Sequence, residues 1–242
     1  MAELLFYQKP VVLDKHRHKH LRLARQQGEY RFASQTNSVV LNGSEMIEAA
    51  KEYPVFFVRH GQGIVPVALL GLRDAENLFV TSEGVWEAKY IPAFVRRYPF
   101  VLASGNLETQ ALTVCIDEAF PGFVTQGEGQ RLFDDQGEPT DWFKKAIRFL
   151  EEFQAQVRRT EVFVNRLHGL DLLVELTARA DLVNGAQYAM QGLLVVDEKK
   201  LLELSKPQAL ELFRCGELGW VYAHLFSLSN MGRLVDLLAR RT

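Results

Sequence analysis

The chain has 242 residues, 48% hydrophobic and 24% charged, the balance of a globular protein with a sizeable core rather than a disordered one. Its 28 basic and 30 acidic residues give a net charge of −2, which argues against a nucleic-acid partner, because neutralising phosphates requires a basic surplus. Cys115 and Cys215 lie far apart, match no metal or redox spacing, and read as reduced thiols of a cytoplasmic protein.

Glu3 stands where a secretory signal needs a base, and no stretch nears the roughly 20 apolar residues that span a bilayer. A soluble protein is expected. The first motif with chemistry is Asp14-Lys15-His16-Arg17-His18-Lys19-His20. In an extended chain His16, His18 and His20 share one face and offer three imidazoles to zinc, with a fourth position open. Lys15, Arg17, Lys19 and Arg22 oppose a dication there. The competing expectation is a solvated basic arm pairing with the acids at 134–138.

Residues 38–41 read as a strand. Asn42-Gly43-Ser44-Glu45 has the spacing of a capping box. A helix from there to Tyr53 places Met46, Ile47, Ala50 and Tyr53 on one face, and Pro54 ends it. Strand-like runs follow at 55–58, 66–72, 78–80, 100–103 and 112–116. Between them 90–98 reads as a short helix with Pro92 in its first turn. Its Arg96 and Arg97, set among aromatics, suit a phosphate or carboxylate because each guanidinium is a bidentate fork; the alternative is a core helix with two solvated arginines. Cys115 alternates with apolar neighbours and has no paired histidine, so it reads as core. Asp117 and Glu118 end a strand on opposite faces, a poor catalytic pair but suited to capping a turn before Pro121-Gly122.

The Gly- and acid-rich segment 125–140 reads as a surface loop. It divides a sheet-rich half, 1–130, from a second half, 131–242, although a single unit over the whole chain stays open. A long helix over 141–168 carries Phe143, Ile147, Leu150, Phe153, Val157, Val164 and Leu167 at three- and four-residue steps. That seam packs within the chain or pairs with a second copy as a homodimer. Residues 172–180 and 186–196 flank Asn184-Gly185, the strongest short hairpin signal. Asp197 is placed to cap a helix over 198–204, and Ser205-Lys206-Pro207-Gln208 to open another. In the amphipathic remainder Trp220 and His224 stand one helical turn apart, either lining a pocket for an aromatic or flavin-like ligand or packing as a core pair. Strands and helices do not alternate as βαβ units, so the predicted fold class is α+β: a sheet-rich half with short helices, then a long helix, a hairpin and terminal helices.

Several blocks of the sequence resemble the bacterial SapC family. They are residues 66–73 (PVALLGLR), 90–100 (YIPAFVRRYPF), 112–122 (LTVCIDEAFPG), 132–135 (LFDD), 192–201 (GLLVVDEKKL) and 217–228 (ELGWVYAHLFSL). They run in the family's order across nearly the whole chain. The resemblance implies no catalytic motif and no cofactor. It implies an accessory role near surface-layer, nutrient-uptake or peptide-modification systems, with a protein partner. The sequence also lacks a P-loop, a GxGxxG and a Gly-x-Ser-x-Gly elbow. The alternative is a small-ligand binder or a metal-dependent enzyme, using the His16/His18/His20 arm or a pocket near Trp220 and His224.

Overall fold

The computed structural model describes residues 5–24, 29–104, 112–181 and 187–241. In chain order its elements are β1 (Pro10–Val12), β2 (Arg22–Leu23), β3 (Ser38–Val40), α1 (Met46–Ala49), β4 (Val55–His60), β5 (Gly63–Leu69), α2 (Ala93–Arg96), β6 (Phe100–Ser104), β7 (Leu112–Asp117), β8 (Phe123–Val124) and β9 (Gln130–Arg131). Then follow α3 (Asp141–Gly169), β10 (Leu173–Asp181), β11 (Gln187–Val196), α4 (Glu198–Leu202), α5 (Lys206–Arg214), α6 (Glu217–Ser227) and α7 (Met231–Ala239). The fold is α+β, as predicted.

Among the described residues three antiparallel sheets form, in the orders β10-β11-β4-β5-β3, β1-β7-β6 and β8-β2-β9. Two of them join strands from both sides of residue 130. Leu194 of β11 pairs with Phe57 of β4, and Arg22 of β2 pairs with Arg131 of β9. The β10–β11 hairpin is paired out to Asp181 and Gln187; its expected turn dipeptide, Asn184-Gly185, lies outside the described residues. Its register slips between Leu176 and Ala178. Gln191 and Gly192 there face a single residue of β10, and Gly192 takes φ 74°, the left-handed backbone a bulge assigns to glycine.

The buried residues form two cores. The larger lies between the five-stranded sheet, α6, α7 and the second half of α3, which contributes Phe163, Val164 and Leu167. The smaller gathers Phe100, Ile116, Phe120 and Leu132 from the two short sheets, with Phe143 and Leu150 from the first half of α3. Thr140 caps α3 by accepting from Phe143 N at 3.3 Å. Most of the apolar stripe of α3 is therefore covered by its own chain: Leu150 is only 3% exposed, while Ile147 and Val157 are half-buried. Phe163, absent from the predicted stripe, is its most deeply buried ring, whereas Val162 faces solvent.

Local differences have physical causes. The helix expected over 42–53 is a 3-10 turn at Gly43–Glu45 followed by the single turn α1. The capping contact is present, with Asn42 N donating to Glu45 Oε2 at 3.0 Å. Trp220 lies so close over Gly43 that a Cβ there would sit 2.4 Å from its ring, so tertiary packing dictates this segment. Ile47 consequently faces outward. Residues 78–80 contribute one bridge, Val80 to Trp86, because the chain reverses at once through Thr81 and Val85. Pro92 precedes α2 as its N-cap rather than lying in its first turn. Asp197 caps α4 through Lys199 N and Lys200 N, as expected. Among the described residues no helix is long and apolar enough to cross a membrane.

Candidate functional site

The smaller core opens into a cleft lined by aromatic rings. Phe6, Phe32, Tyr98 and Phe120 wall a cavity of about 480 Å³, and Gln8, Glu29 and Arg31 are among its polar lining residues. The rings contact in series: Phe6–Phe32 at 5.2 Å, Phe32–Tyr98 at 4.2 Å and Tyr98–Phe120 at 5.2 Å between centroids. A volume of this size with mostly apolar walls and a few polar groups is typical of ligand sites.

Beside the cleft, Asp117 ends β7 with its side chain fully buried. Oδ1 accepts from Lys9 N at 2.8 Å and Ala119 N at 3.2 Å; Oδ2 accepts from Gln8 N at 3.0 Å and Tyr98 OH at 2.9 Å. A carboxylate offers about four lone-pair sites, and four donors occupy them. The Ala119 bond is the turn cap expected of this acidic pair. Burial first, and then the bond to Asp117, raise the Tyr98 phenol well above its ordinary range, so it stays protonated at neutral pH. Asp117 organises the wall of the cleft and has no lone pair left to take a proton from a bound molecule.

Glu118 points the other way. Lys9 Nζ at 2.7 Å and Arg17 hold its carboxyl below the usual range. The basic arm is thus tied chiefly to Glu118. It also reaches the acidic loop: Asp135 pairs with Arg131 at 2.6 Å, and the charges of Lys19 and His20 help to lower its carboxyl.

The arm is not extended. Residues 15–20 turn, with His18 N donating to Asp14 O and the Asp14 carboxylate accepting from His16 N and Arg17 N, each at 2.8 Å. His18 is 5% exposed, accepts from Asp14 N at 2.9 Å through Nδ1, and turns Nε2 toward Glu118 at 3.8 Å. His16 and His20 are exposed. The three imidazoles therefore do not share the face that an extended chain would give them, and among the described residues no group of three His, Cys, Asp or Glu is arranged to hold a metal ion.

Arg96 and Arg97 meet at a separate, smaller cavity of about 90 Å³ between α2, β6 and α3. Arg96 is exposed, donates through Nε to Ile91 O at 2.9 Å, and lies 5.1 Å from the Phe149 ring. Arg97 is mostly buried, 4.2 Å from the Phe94 ring and 4.8 Å from that of Phe153. Of the two arginines expected to be solvated, Arg96 is exposed and Arg97 only partly so.

Trp220 and His224 share a face of α6 but lie in the larger core. The indole packs edge-on against Phe163 at 5.2 Å and under Arg159 at 4.5 Å. His224 is fully buried; Nε2 accepts from Val196 N at 3.1 Å, so Nδ1 carries the proton and donates to Val55 O at 2.9 Å. Burial lowers its pKa to about 4. Both ring nitrogens are engaged in pinning β4 and β11 to α6, which leaves none for a ligand. Cys115 is buried, and burial pushes its thiol up, away from nucleophilic character.

Sequence reasoning missed the cleft itself. Phe6 and Phe32 come from the weakly patterned first 37 residues, where the only signal was aromatic clustering at Phe6-Tyr7 and Tyr30-Arg31-Phe32. A family model described as SapC matches residues 13–234. No curated protein and no solved structure matches the chain significantly.

Proposed function

The chain belongs to the SapC family, and from that premise we propose that it is a non-catalytic accessory protein whose aromatic cleft receives an apolar group of its partner. The observation that carries this reading is the state of the polar groups around the cleft. Asp117 is saturated by four donors, the Tyr98 hydroxyl is committed to it, and Glu29 and Arg31 lie 3.7 Å apart at the rim. Four aromatic rings form most of the remaining binding surface, beside the Gln8 side chain, and rigid rings bury large apolar area at low entropic cost. An exposed thiol at Cys215 suits the reducing cytoplasm. A role beside uptake or peptide-modification systems agrees with a protein that binds without transforming.

The test blocks the cleft from its edge. Ala119 lines the cleft and is exposed, so Ala119→Trp inserts an indole without displacing buried atoms. Affinity purification from the native host, with mass spectrometry of proteins and small molecules, should yield a species retained by the wild type and absent from Ala119→Trp. Equal recovery of every species by both proteins would refute a binding role for the cleft.

A further inference from the structure

We propose that the cavity between α2, β6 and α3 is a second binding site, which takes a carboxylate carried on a short apolar stem and grips it with Arg97 and Arg96. Two other partly buried arginines are matched by buried acids. Arg166 is paired with Glu217 and Arg233 with Glu52, each in contact with a buried carboxylate. Arg97 is treated differently. Among the described residues no carboxylate pairs with it, and Tyr7 is the sole ionisable group acting on it. Its Nε is buried without an acceptor. Phe94 and Phe153 stabilise the cation through their rings but offer nothing to its N–H edge. A largely buried cation lacking a counter-charge is costly; burial lowers the Arg97 pKa while the guanidinium stays charged.

Arg97 and Arg96 both line the cavity, so the missing acceptor has a place to sit. Its lining also includes Leu23, Phe100, Trp142 and Leu150. The two arginines thus share the cavity with a mostly apolar lining. A phosphate presents oxygens in three directions and would leave some of them against hydrocarbon. A carboxylate presents two oxygens in one plane, which matches the fork of a guanidinium, and its stem faces the apolar wall. The volume, about 90 Å³, admits a carboxylate with only a few carbons. Such a group belongs either to a free short-chain acid or to the C-terminus of a peptide ending in a small apolar residue.

Calorimetric titration of the intact chain at fixed ionic strength, with sodium butyrate and separately with an N-acetylated peptide ending in alanine, tests the site. At least one should saturate in the millimolar range, and the tighter of the two identifies the source. Arg97→Met should weaken that binding about tenfold or more, the loss expected of a charge-assisted hydrogen-bond pair. Arg96→Gln, at an exposed position, should weaken it by a smaller factor. If Arg97→Met does not fold, Ala146→Leu, which fills the cavity from α3, replaces it and should abolish binding. Failure of both ligands to saturate would overturn the proposal. So would binding unchanged in the variants, or inorganic phosphate displacing butyrate more effectively than acetate does.

Discussion

Around the five-stranded sheet, buried polar groups close on the chain itself. His224 bridges two strands, Ser227 Oγ accepts from Val55 N at 2.9 Å, and Glu45 accepts from Tyr90 and Ala93. Around the two short sheets the same kinds of group border open space: Asp117 stiffens the wall of a cleft, and Arg97 faces a cavity with no partner for its Nε. α3 runs through both regions and supplies packing to each. Within one chain the larger core satisfies the polar groups just named internally, and the smaller borders the aromatic cleft and the Arg97 cavity. Buried groups left without internal partners are where binding is to be sought.

Changes in the larger core should therefore cost stability and leave the cleft alone. The largest effect is expected of Phe163→Ala, which removes a fully buried ring packed on Phe57 and Trp220 and should cost about 3–5 kcal/mol in urea unfolding. A loss below about 1 kcal/mol would erase the distinction between the cores. His224 gives the next effect. Its folded pKa of about 4 lies below the ordinary 6.5, so the unfolded chain takes up the proton first. The stability contributed by the neutral ring is complete above about pH 6.5 and is lost as pH falls toward 4, to a total of about 3 kcal/mol. Unfolding of wild type and His224→Gln at pH 7 and pH 4.5 isolates this part. Equal acid sensitivity in the two proteins would show that the imidazole is not the group responsible.

In the smaller core the same measurement should report less. Asp117→Asn sets an NH₂ group against backbone donors and should cost about 2 kcal/mol, together with a looser cleft wall seen as increased exchange at Lys9 and Ala119 amides. Normal protection of those amides would argue against Asp117 as the organiser. Ala119→Trp should move stability by no more than about 0.5 kcal/mol, and that is what makes it a clean probe of binding. A much larger loss would mean that the cleft is part of the packed core.

Elements that depend on near neighbours were legible in the sequence. The stripe of α3, the Asp197 cap, the paired β10 and β11, and the α+β class follow from periodicity, side-chain-to-backbone capping and alternation, all acting within a few residues. The α1 segment was overstated for the opposite reason, since Trp220, far along the chain, sets its shape over Gly43. The shared face of His16, His18 and His20 rested on an extended chain, whereas the Asp14 carboxylate folds the arm into turns.

By itself the sequence determined the long helix, the pairing of β10 with β11, the terminal helices and the longer strands, and its motif blocks carry the family. Only the tertiary structure decided what the polar residues are for. Arg96 and Arg97 are adjacent and alike in the sequence, yet one meets water and the other lies against Phe94 and Phe153. Asp117 becomes a structural anchor because Gln8 and Lys9, more than a hundred residues earlier, bring their amides to it. Trp220 and His224 share a helical face in either reading, and only the strands packed against that face make it core. Burial and partner choice depend on residues distant along the chain, and local pattern carries no information about them.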